Sequence, residues 1–169
     1  MSSTGDATLA LNLMARRLTE HAGKRRVWLD PELPGALRAL DLRCVDTPAL
    51  AEMAAVRAPR IGPRGELLQP QDAIGLPGRV WAWFDPSAGD RIVGRDDGPR
   101  RGRADRIISP YGFIEVRAAG LVITELARGV SARDVQAFSE PPLLIDPQVD
   151  EMRLSPRPDG DHDGAHGVA

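Results

Sequence analysis

Residues 105–144 of this 169-residue chain, DRIISPYGFIEVRAAGLVITELARGVSARDVQAFSEPPLL, decide its fold. Apolar and β-branched residues cluster there in short runs, which are separated by turn residues that include Gly112 and Gly120. Such runs are typical of half-buried strands. They predict three successive strands, at residues 106–109, 113–116 and 121–126.

A helix is expected directly after the third strand. Gly129 breaks the strand pattern, and Ser131 is a good N-cap residue. Asp134 follows three residues later, which is an aspartate variant of the capping box. Val135 is then the first residue of the buried helix face. The proline pair within residues 140–146 predicts that a stiff, extended arm leaves this helix.

The same stretch resembles the C-terminal end of the β subunit of class I CoA-transferases. The resemblance rests on three segments, residues 106–109 (RIIS), 113–116 (FIEV) and 120–135 (GLVITELARGVSARDV). It implies an α/β fold with an open, mixed or mostly parallel sheet flanked by helices, here in a shortened form. It also implies an acyl-CoA enzyme that works with an α-type partner subunit, associates with itself, or both. In that family a glutamate of the β chain attacks an acyl-CoA and forms a glutamyl-CoA thioester.

Length and composition fit a single domain. A hydrophobic content of 42% in 169 residues is enough for one ordinary core. We expect the domain at residues 1–154 and a flexible tail, rich in Pro, Gly, Asp and His, at residues 155–169. A net charge of −2 argues against nucleic acid or an anionic membrane as a partner.

Cysteine content and motif spacing bear on location and cofactors. The one cysteine, Cys44, excludes an internal disulfide and favours a reducing, cytoplasmic location. No apolar run approaches the roughly 18 residues that a membrane-spanning helix needs. Zinc-site spacing, a phosphate-binding loop and a dinucleotide fingerprint are also missing. The sequence therefore predicts no metal and no bound cofactor, and a coenzyme A thioester would be a substrate.

The N-terminal region predicts an amphipathic helix. Asp6 is its expected N-cap, and Gly23 is its expected end. The apolar residues of its buried face are Leu11, Met14, Ala15 and Leu18. The charged residues of the other face, which we expect to be solvated, are Arg16, Arg17 and Glu20.

A strand at residues 26–29 leads into a second predicted helix, with Asp30 as its cap and Pro31 as its first residue. The residues that continue its apolar face are Leu33, Leu37 and Leu40. In the CoA-transferase family a G-x-G-x-P turn stands at this point. Pro34 matches that turn, whereas Asp30 and Glu32 occupy the glycine positions. Glycines let backbone N–H groups approach an anion or a carbonyl oxygen, which two carboxylates would repel.

The family's nucleophilic glutamate, part of an S-E-N-G motif, has no counterpart in residues 40–49 (LDLRCVDTPA). Cys44 is one candidate replacement, because thiolates attack thioesters readily. Its alternative role is that of a small buried hydrophobic residue. Asp46 is a second candidate nucleophile, with a turn or helix cap as its alternative role. Glu52 stands too late in the chain and is expected on the exposed side of a helix over residues 48–56.

Candidate coenzyme A ligands lie in the middle of the chain. After a hairpin expected at residues 61–68, Pro77, Gly78 and Arg79 match the family's P-G-K turn with Arg in place of Lys. The connection at residues 91–106 adds arginines that would clamp phosphates bidentately, with a solvated loop as the alternative. These arginines are Arg95, Arg100, Arg101 and Arg103.

Trp81, Trp83 and Phe84 form the densest aromatic patch in the chain. The two tryptophans lie two residues apart, so on a strand they point the same way. We interpret the patch as core or as subunit interface, with stacking on an adenine ring as the alternative. An interface is attractive because a shortened domain leaves apolar surface that a partner must cover.

Two functions remain open. In the first, the chain is a subunit of a CoA-transferase-like enzyme that transfers CoA between carboxylic acids, or of a derived thioester hydrolase or lyase, and an α-type partner supplies part of the site. In the second, the fold persists without chemistry as a scaffold or regulatory subunit. The missing glutamate and the filled glycine turn favour the second.

Overall fold

The computed structural model describes residues 4–68, 75–95 and 100–152, so the predicted tail at residues 155–169 lies outside the described part. Two α-helices lie within it, α1 (Thr4–Ala22) and α2 (Ala132–Gln136). The strands are β1 (Arg26–Leu29), β2 (Arg43–Cys44), β3 (Met53–Arg57), β4 (Arg60–Ile61), β5 (Glu66–Leu68), β6 (Val80–Trp83), β7 (Arg91–Ile92), β8 (Arg100–Arg103), β9 (Arg106–Ile108), β10 (Gly112–Arg117), β11 (Gly120–Leu126) and β12 (Leu144–Glu151). Short 3-10 helices span Gly35–Ala39, Pro48–Leu50 and Pro86–Ala88.

In the described part of the chain the main sheet has eight strands, in the order β12-β11-β10-β9-β6-β3-β1-β2. The strands from β2 to β9 in that order run parallel to one another. β10 is antiparallel to both of its neighbours, and β12 returns parallel to β11. The predicted α/β fold with a mixed, mostly parallel sheet is therefore confirmed.

A smaller sheet of four strands, in the order β7-β4-β5-β8, accompanies the main one within the described residues. The antiparallel pair β4–β5 confirms the hairpin that was predicted at residues 61–68. Residues 91–106 were predicted as a loop, but they contain β7 and β8, which form the two opposite edges of this sheet.

The main sheet is covered differently on its two faces. On one face, the apolar stripe of α1, with Leu13, Met14 and Leu18 buried, packs in one cluster with Val27, Met53 and Phe113. On the other face, a second cluster joins sheet residues to the small sheet and to the α2 segment; those covering residues are Ile61, Leu67, Ile92, Val135 and Phe138. Of the flanking layers, α1 is thus the helix on the first face, whereas a small sheet and one short helix cover the second face.

The aromatic patch belongs to this core. Trp81 and Trp83 are 2% and 3% exposed and lie in the cluster under α1, as expected for alternate residues of a strand. Phe84 is fully buried in the opposite cluster. The core interpretation therefore describes these residues, and the interface interpretation is corrected, because the chain itself already covers all three rings.

α1 confirms the predicted N-terminal helix and its end at Gly23, where φ is +54°. It starts at Thr4, so Asp6 lies inside the helix and does not cap it. No helix in the described ranges is long and apolar enough to cross a bilayer.

Arg17 of α1 was predicted to be solvated and is instead held against the sheet. Its guanidinium donates to both carboxylate oxygens of Glu125, with 2.9 Å between Nη2 and Oε2. The same group lies 4.6 Å from the centroid of the Phe113 ring. The long arginine side chain spans the border of the apolar stripe, which allows this contact from the polar side of the helix.

The stretch that decides the fold has the predicted order. β9, β10 and β11 form an antiparallel meander, and α2 follows. Ser131 accepts a hydrogen bond from the N–H of Asp134 while the Asp134 carboxylate accepts one from the N–H of Ser131, which confirms the capping box. The predicted arm continues as β12, an edge strand of eight residues.

Two predicted helices are wrong. Residues 48–56 form a 3-10 turn and then β3, which lies between β1 and β6. After Asp30 the chain makes a turn and a 3-10 helix at Gly35–Ala39, although Leu33 and Leu37 are buried as predicted. In both places packing against the sheet outweighs local helix preference.

Candidate functional site

The carboxyl ends of β1, β3, β6 and β9 meet at one edge of the main sheet, because these strands are parallel neighbours. Ligands of open α/β sheets bind outside such an edge. The polar residues that end or follow these strands are Asp30, Arg57, Asp85 and Ser109. We therefore expect a ligand to bind at this edge.

Asp30, which the sequence resemblance places at a glycine position of the family's turn, is buried, with 2% exposure. Its Oδ1 accepts the backbone N–H of Glu32 at 3.0 Å, and its Oδ2 accepts the backbone N–H of Arg57 at 3.3 Å. The carboxylate thus joins the turn after β1 to the end of β3. Backbone donors that would face a ligand at a glycine turn are here occupied by a side chain of the chain itself.

Arg57 and Asp90 form a second charged contact at this edge. The guanidinium donates to both oxygens of Asp90, with 2.9 Å between Nη2 and Oδ1. Asp90 is 3% exposed and also accepts the backbone N–H of Asp85 at 2.6 Å. The ion pair therefore joins the end of β3 to the residue before β7, and its carboxylate is almost completely shielded from solvent.

Ser109, also buried at this edge, is committed to a turn. Its Oγ accepts the backbone N–H groups of Tyr111 and Gly112, at 3.2 and 3.1 Å. The hydroxyl in turn lies 3.1 Å from the carbonyl oxygen of Gly112. These bonds shape the connection from β9 to β10, and they give Ser109 a structural role.

The two nucleophile candidates lie on and after the edge strand β2, which runs parallel to its neighbour β1, so Asp46 follows β2 at the same carboxyl edge as Asp30. Cys44 pairs with Val27 of β1 and is exposed, so its predicted alternative as a buried hydrophobic residue is wrong. Asp46 follows two residues later and is exposed as well.

Glu52 was predicted on an exposed helix and is exposed, but it precedes β3 at the amino-terminal edge. Its Oε2 accepts the backbone N–H of Arg26 at 3.0 Å, and this bond lowers the pKa of the carboxyl group. Glu52 therefore lies at the opposite edge of the sheet from Asp30, and the two side chains cannot act together.

Pro77, Gly78 and Arg79 precede β6, at the same amino-terminal edge. The carbonyl oxygen of Arg79 accepts the N–H of Ala54, and its side chain is exposed. These candidate coenzyme A ligands are therefore separated from Asp30 by the length of the parallel strands. Their predicted binding role remains a prediction.

His21, at the end of α1, forms an aromatic contact that sequence reasoning missed. Its ring lies 5.2 Å from the ring of Trp81, and the guanidinium of Arg106 lies 5.2 Å from the same indole. Partial burial, and then the charges of Arg106, Arg25 and Arg79, lower the pKa of His21. No motif spacing signals this contact, because helix end and strand come together only in the fold.

A cleft of about 430 Å³ opens beside this histidine. Its lining residues are Glu20, His21, Ala22, Gly23, Lys24, Arg25 and Glu52. Acidic and basic side chains are mixed in this lining, so the cleft carries no marked charge for a ligand.

The predicted arginine cluster is divided by the small sheet. Arg100 and Arg101 lie on β8, at one edge, and their side chains are outside the described part. Arg95 follows β7 at the opposite edge, where it lines a cleft of about 320 Å³ together with Arg60. The arginines that the sequence places side by side therefore do not form one site.

Metal ligands do not converge in the described ranges: no group of three His, Cys, Asp or Glu side chains is placed to hold an ion.

Comparison with solved structures identifies the fold. One variant of the decarboxylase AibA/AibB matches with a TM-score of 0.63 and 12% identity, over 86% of this chain and 88% of that chain. Glutaconate coenzyme A-transferase from Acidaminococcus fermentans matches with a TM-score of 0.63 and 9% identity, over 90% of both chains. The acyl-CoA transferase YdiF from Escherichia coli O157:H7 matches with a TM-score of 0.62 and 12% identity, over 84% of this chain and 43% of that chain.

No family model matches the sequence, and no curated protein matches it. The matches to solved structures alone establish the fold, which is that of CoA-transferase subunits. This is the fold that the resemblance of residues 105–144 implied.

Proposed function

We propose that the chain is a subunit of a CoA-transferase-like assembly that acts on acyl-CoA thioesters together with an α-type partner. The observation that carries the proposal is the mixed eight-stranded sheet of the described residues, which follows the fold of two CoA-transferases over most of this chain. This chain spans 43% of the acyl-CoA transferase, and under the proposal a partner supplies the equivalent of the remaining part.

In the catalytic form of the proposal, Cys44 is the nucleophile to test first, because it is exposed. The thiolate would attack the thioester carbonyl, form an acyl-cysteine thioester and release CoA as its thiolate. Solved structures of the decarboxylase AibA/AibB include variants in which one cysteine is replaced by valine, serine, alanine or asparagine. Asp46 is the second candidate.

A second function, that of a scaffold or regulatory subunit without chemistry, is favoured by the carboxyl edge of the parallel strands. Asp30 already accepts the backbone N–H groups of Glu32 and Arg57. A buried carboxylate in that place must be displaced before a substrate carbonyl or carboxylate reaches those donors. The ion pair of Arg57 and Asp90 uses a further pair of donors in the same way.

The two functions are separated by reconstitution. The chain is purified alone and with a candidate α-type protein, and CoA exchange and thioester hydrolysis are measured over a panel of acyl-CoAs. Turnover by the pair that is lost in Cys44→Ala or in Asp46→Asn supports catalysis by this chain. Asp41→Asn, a charge-matched change at another exposed position, is the control and should leave turnover unchanged.

Turnover that is indifferent to both substitutions, but needs the chain to be present, supports the scaffold. A chain that stays monomeric with every candidate partner, and adds nothing to their activity, contradicts both forms of the proposal. Sedimentation of the mixtures gives this result independently of the assay.

A further inference from the structure

We infer that the cleft between β4 and the end of β7 binds a phosphate or diphosphate group. The cleft has a volume of about 320 Å³, which is enough for such a group. Its lining residues are Arg60, Val93, Gly94, Arg95 and Glu140. The inference does not depend on the proposed function, because it rests on the small sheet and not on the edge that holds Asp30.

The first observation is an excess of positive charge. Arg60 and Arg95 are both exposed, and neither guanidinium is paired with a carboxylate within the described residues. Glu140 is the one acid in the described lining, so two cations face one anion there. An anion that enters the cleft therefore gains attraction that the described residues leave unused.

The second observation is a like-charge pair across two strands. Arg60 and Arg91 are register partners in the parallel pair β4–β7. Like charges directly opposite on neighbouring strands destabilise a sheet. Arg91 reaches away, with its Nη1 3.4 Å from the carbonyl oxygen of Ala137, and this contact does not neutralise it. A bound phosphate would relieve the repulsion that the pairing imposes.

The cleft is held in shape by the strands beneath it. Ile61 and Ile92, which follow the two arginines and pair with each other, are fully buried. The N–H of Val93 donates to the carbonyl oxygen of Ile61 at 2.8 Å. Arg60, one of the two arginines of the lining, therefore projects from a fixed backbone, which reduces the entropy that is lost when an anion binds.

Glu140 is held at one end of the cleft by the backbone. Its Oε2 accepts the N–H of Gly94 at 2.7 Å. Gly94 permits this approach, since a Cβ at this position would lie 3.3 Å from the same oxygen. The carboxylate is thus the part of the lining that opposes an anion, and its neutralisation should strengthen binding.

The chemistry of the lining selects the ligand. An arginine fork matches a phosphate group bidentately, and two such forks suit a diphosphate. Among the described lining residues there is no aromatic ring on which a nucleobase could stack. Phosphate is therefore the recognised group, whether it comes from free phosphate or pyrophosphate or from a phosphorylated carrier such as coenzyme A.

Calorimetric titration of the full chain with pyrophosphate tests the inference, at constant ionic strength set with sodium chloride. Arg60→Ala/Arg95→Ala should weaken binding about tenfold or more. Glu140→Gln should tighten it severalfold. Arg43→Ala/Arg128→Ala, which removes two exposed arginines elsewhere, is the charge-matched control and should bind like the wild type.

Loss of affinity in the control equal to that in Arg60→Ala/Arg95→Ala would overturn the inference, because it would mean attraction by net charge alone. Absence of binding at millimolar pyrophosphate and millimolar coenzyme A would overturn it as well. Coenzyme A and pantetheine, which lacks the phosphates, identify the source. Binding of coenzyme A that pantetheine does not reproduce, and that falls in Arg60→Ala/Arg95→Ala, indicates a phosphorylated carrier, whereas binding of pyrophosphate alone indicates free phosphate.

Discussion

Arg57 donates hydrogen bonds from both of its terminal nitrogens to the carboxylate of Asp90, so the end of β3 is joined to the segment that follows β6. Asp90 is almost completely buried, and it accepts a further bond from the N–H of Asp85. Both oxygens of this buried carboxylate therefore accept hydrogen bonds from the chain itself. Removal of its charge leaves the partly buried guanidinium of Arg57 without this partner.

Asp90→Asn is therefore expected to lower the free energy of unfolding by about 3 kcal/mol, as is typical when one member of a buried ion pair is removed. Urea denaturation measures the change. Asp41→Asn removes the same charge at an exposed position and should change the stability by less than about 0.5 kcal/mol. Equal effects of the two substitutions would contradict a stabilising role of the pair.

Gly112→Ala should destabilise the sheet because there is no room for a side chain between β10 and β11. A Cβ at residue 112 would lie 2.5 Å from the carbonyl oxygen of Glu125, which belongs to the backbone and cannot rotate away. We expect a loss of about 2 kcal/mol or more. Gly35→Ala is the matched control, since nothing lies within 4 Å of its Cβ position. Equal midpoints of thermal unfolding for the two variants would contradict the close approach of the Glu125 carbonyl oxygen to Gly112.

His21 should make the stability depend on pH. Its pKa is lowered in the folded chain, by burial first and then by Arg106, Arg25 and Arg79, while the nearby Asp105 acts in the opposite sense. The folded state thus binds the proton less well than the unfolded state does. Stability is full above the unfolded pKa of about 6.5 and is lost as the pH falls through the folded value.

The test is the urea midpoint at a series of pH values, with His21→Gln as the comparison. The wild type should lose stability below about pH 6.5, and the variant should have a flatter profile in that range. Carboxyl groups with lowered pKa, such as Asp134 and Asp146, titrate at lower pH and leave this range undisturbed. Parallel profiles of the two proteins would exclude His21 as the cause.

Ser131→Ala should weaken the start of α2 by about 1 kcal/mol, because it removes the Oγ that accepts the N–H of Asp134 and donates to the Asp134 carboxylate. Threonine keeps the hydroxyl, so Ser131→Thr should retain most of the stability. Hydrogen exchange of the amide of Asp134, which donates to Ser131, gives a local readout. Protection that is unchanged in Ser131→Ala would mean that the cap contributes nothing to this five-residue helix.

The sequence predicted the meander of β9, β10 and β11 well because its signals are local. Each strand there is an apolar run, and each turn contains a glycine. β3 shows the opposite case: Met53 and the alanines after it favour a helix by themselves. They form a strand because β1 and β6 lie on either side of them and bury them completely. Neighbouring strands that come from distant parts of the chain are not indicated by the local sequence pattern.

The same reason limits what the sequence could say about the site. Asp30 was singled out as a residue that departs from the glycine turn of the family that the sequence resembles. Its partner Arg57 is 27 residues away, and Asp90 is 33 residues beyond Arg57. No spacing rule connects such residues, so the network that they form was not predicted. Arg95 was grouped with its neighbours in sequence for this reason, whereas the fold places it beside Arg60.

The central strand β6 also governs how the chain folds. Ala55 pairs with Trp81, and Trp81 pairs with Arg106, so both neighbours of β6 come from distant parts of the chain. Each pairing closes a long loop before the sheet gains any burial from it. Folding rates fall as contacts become less local. The middle of this sheet is therefore expected to form slowly, after the β9–β10–β11 meander, and an early intermediate would expose the tryptophans that the native chain covers.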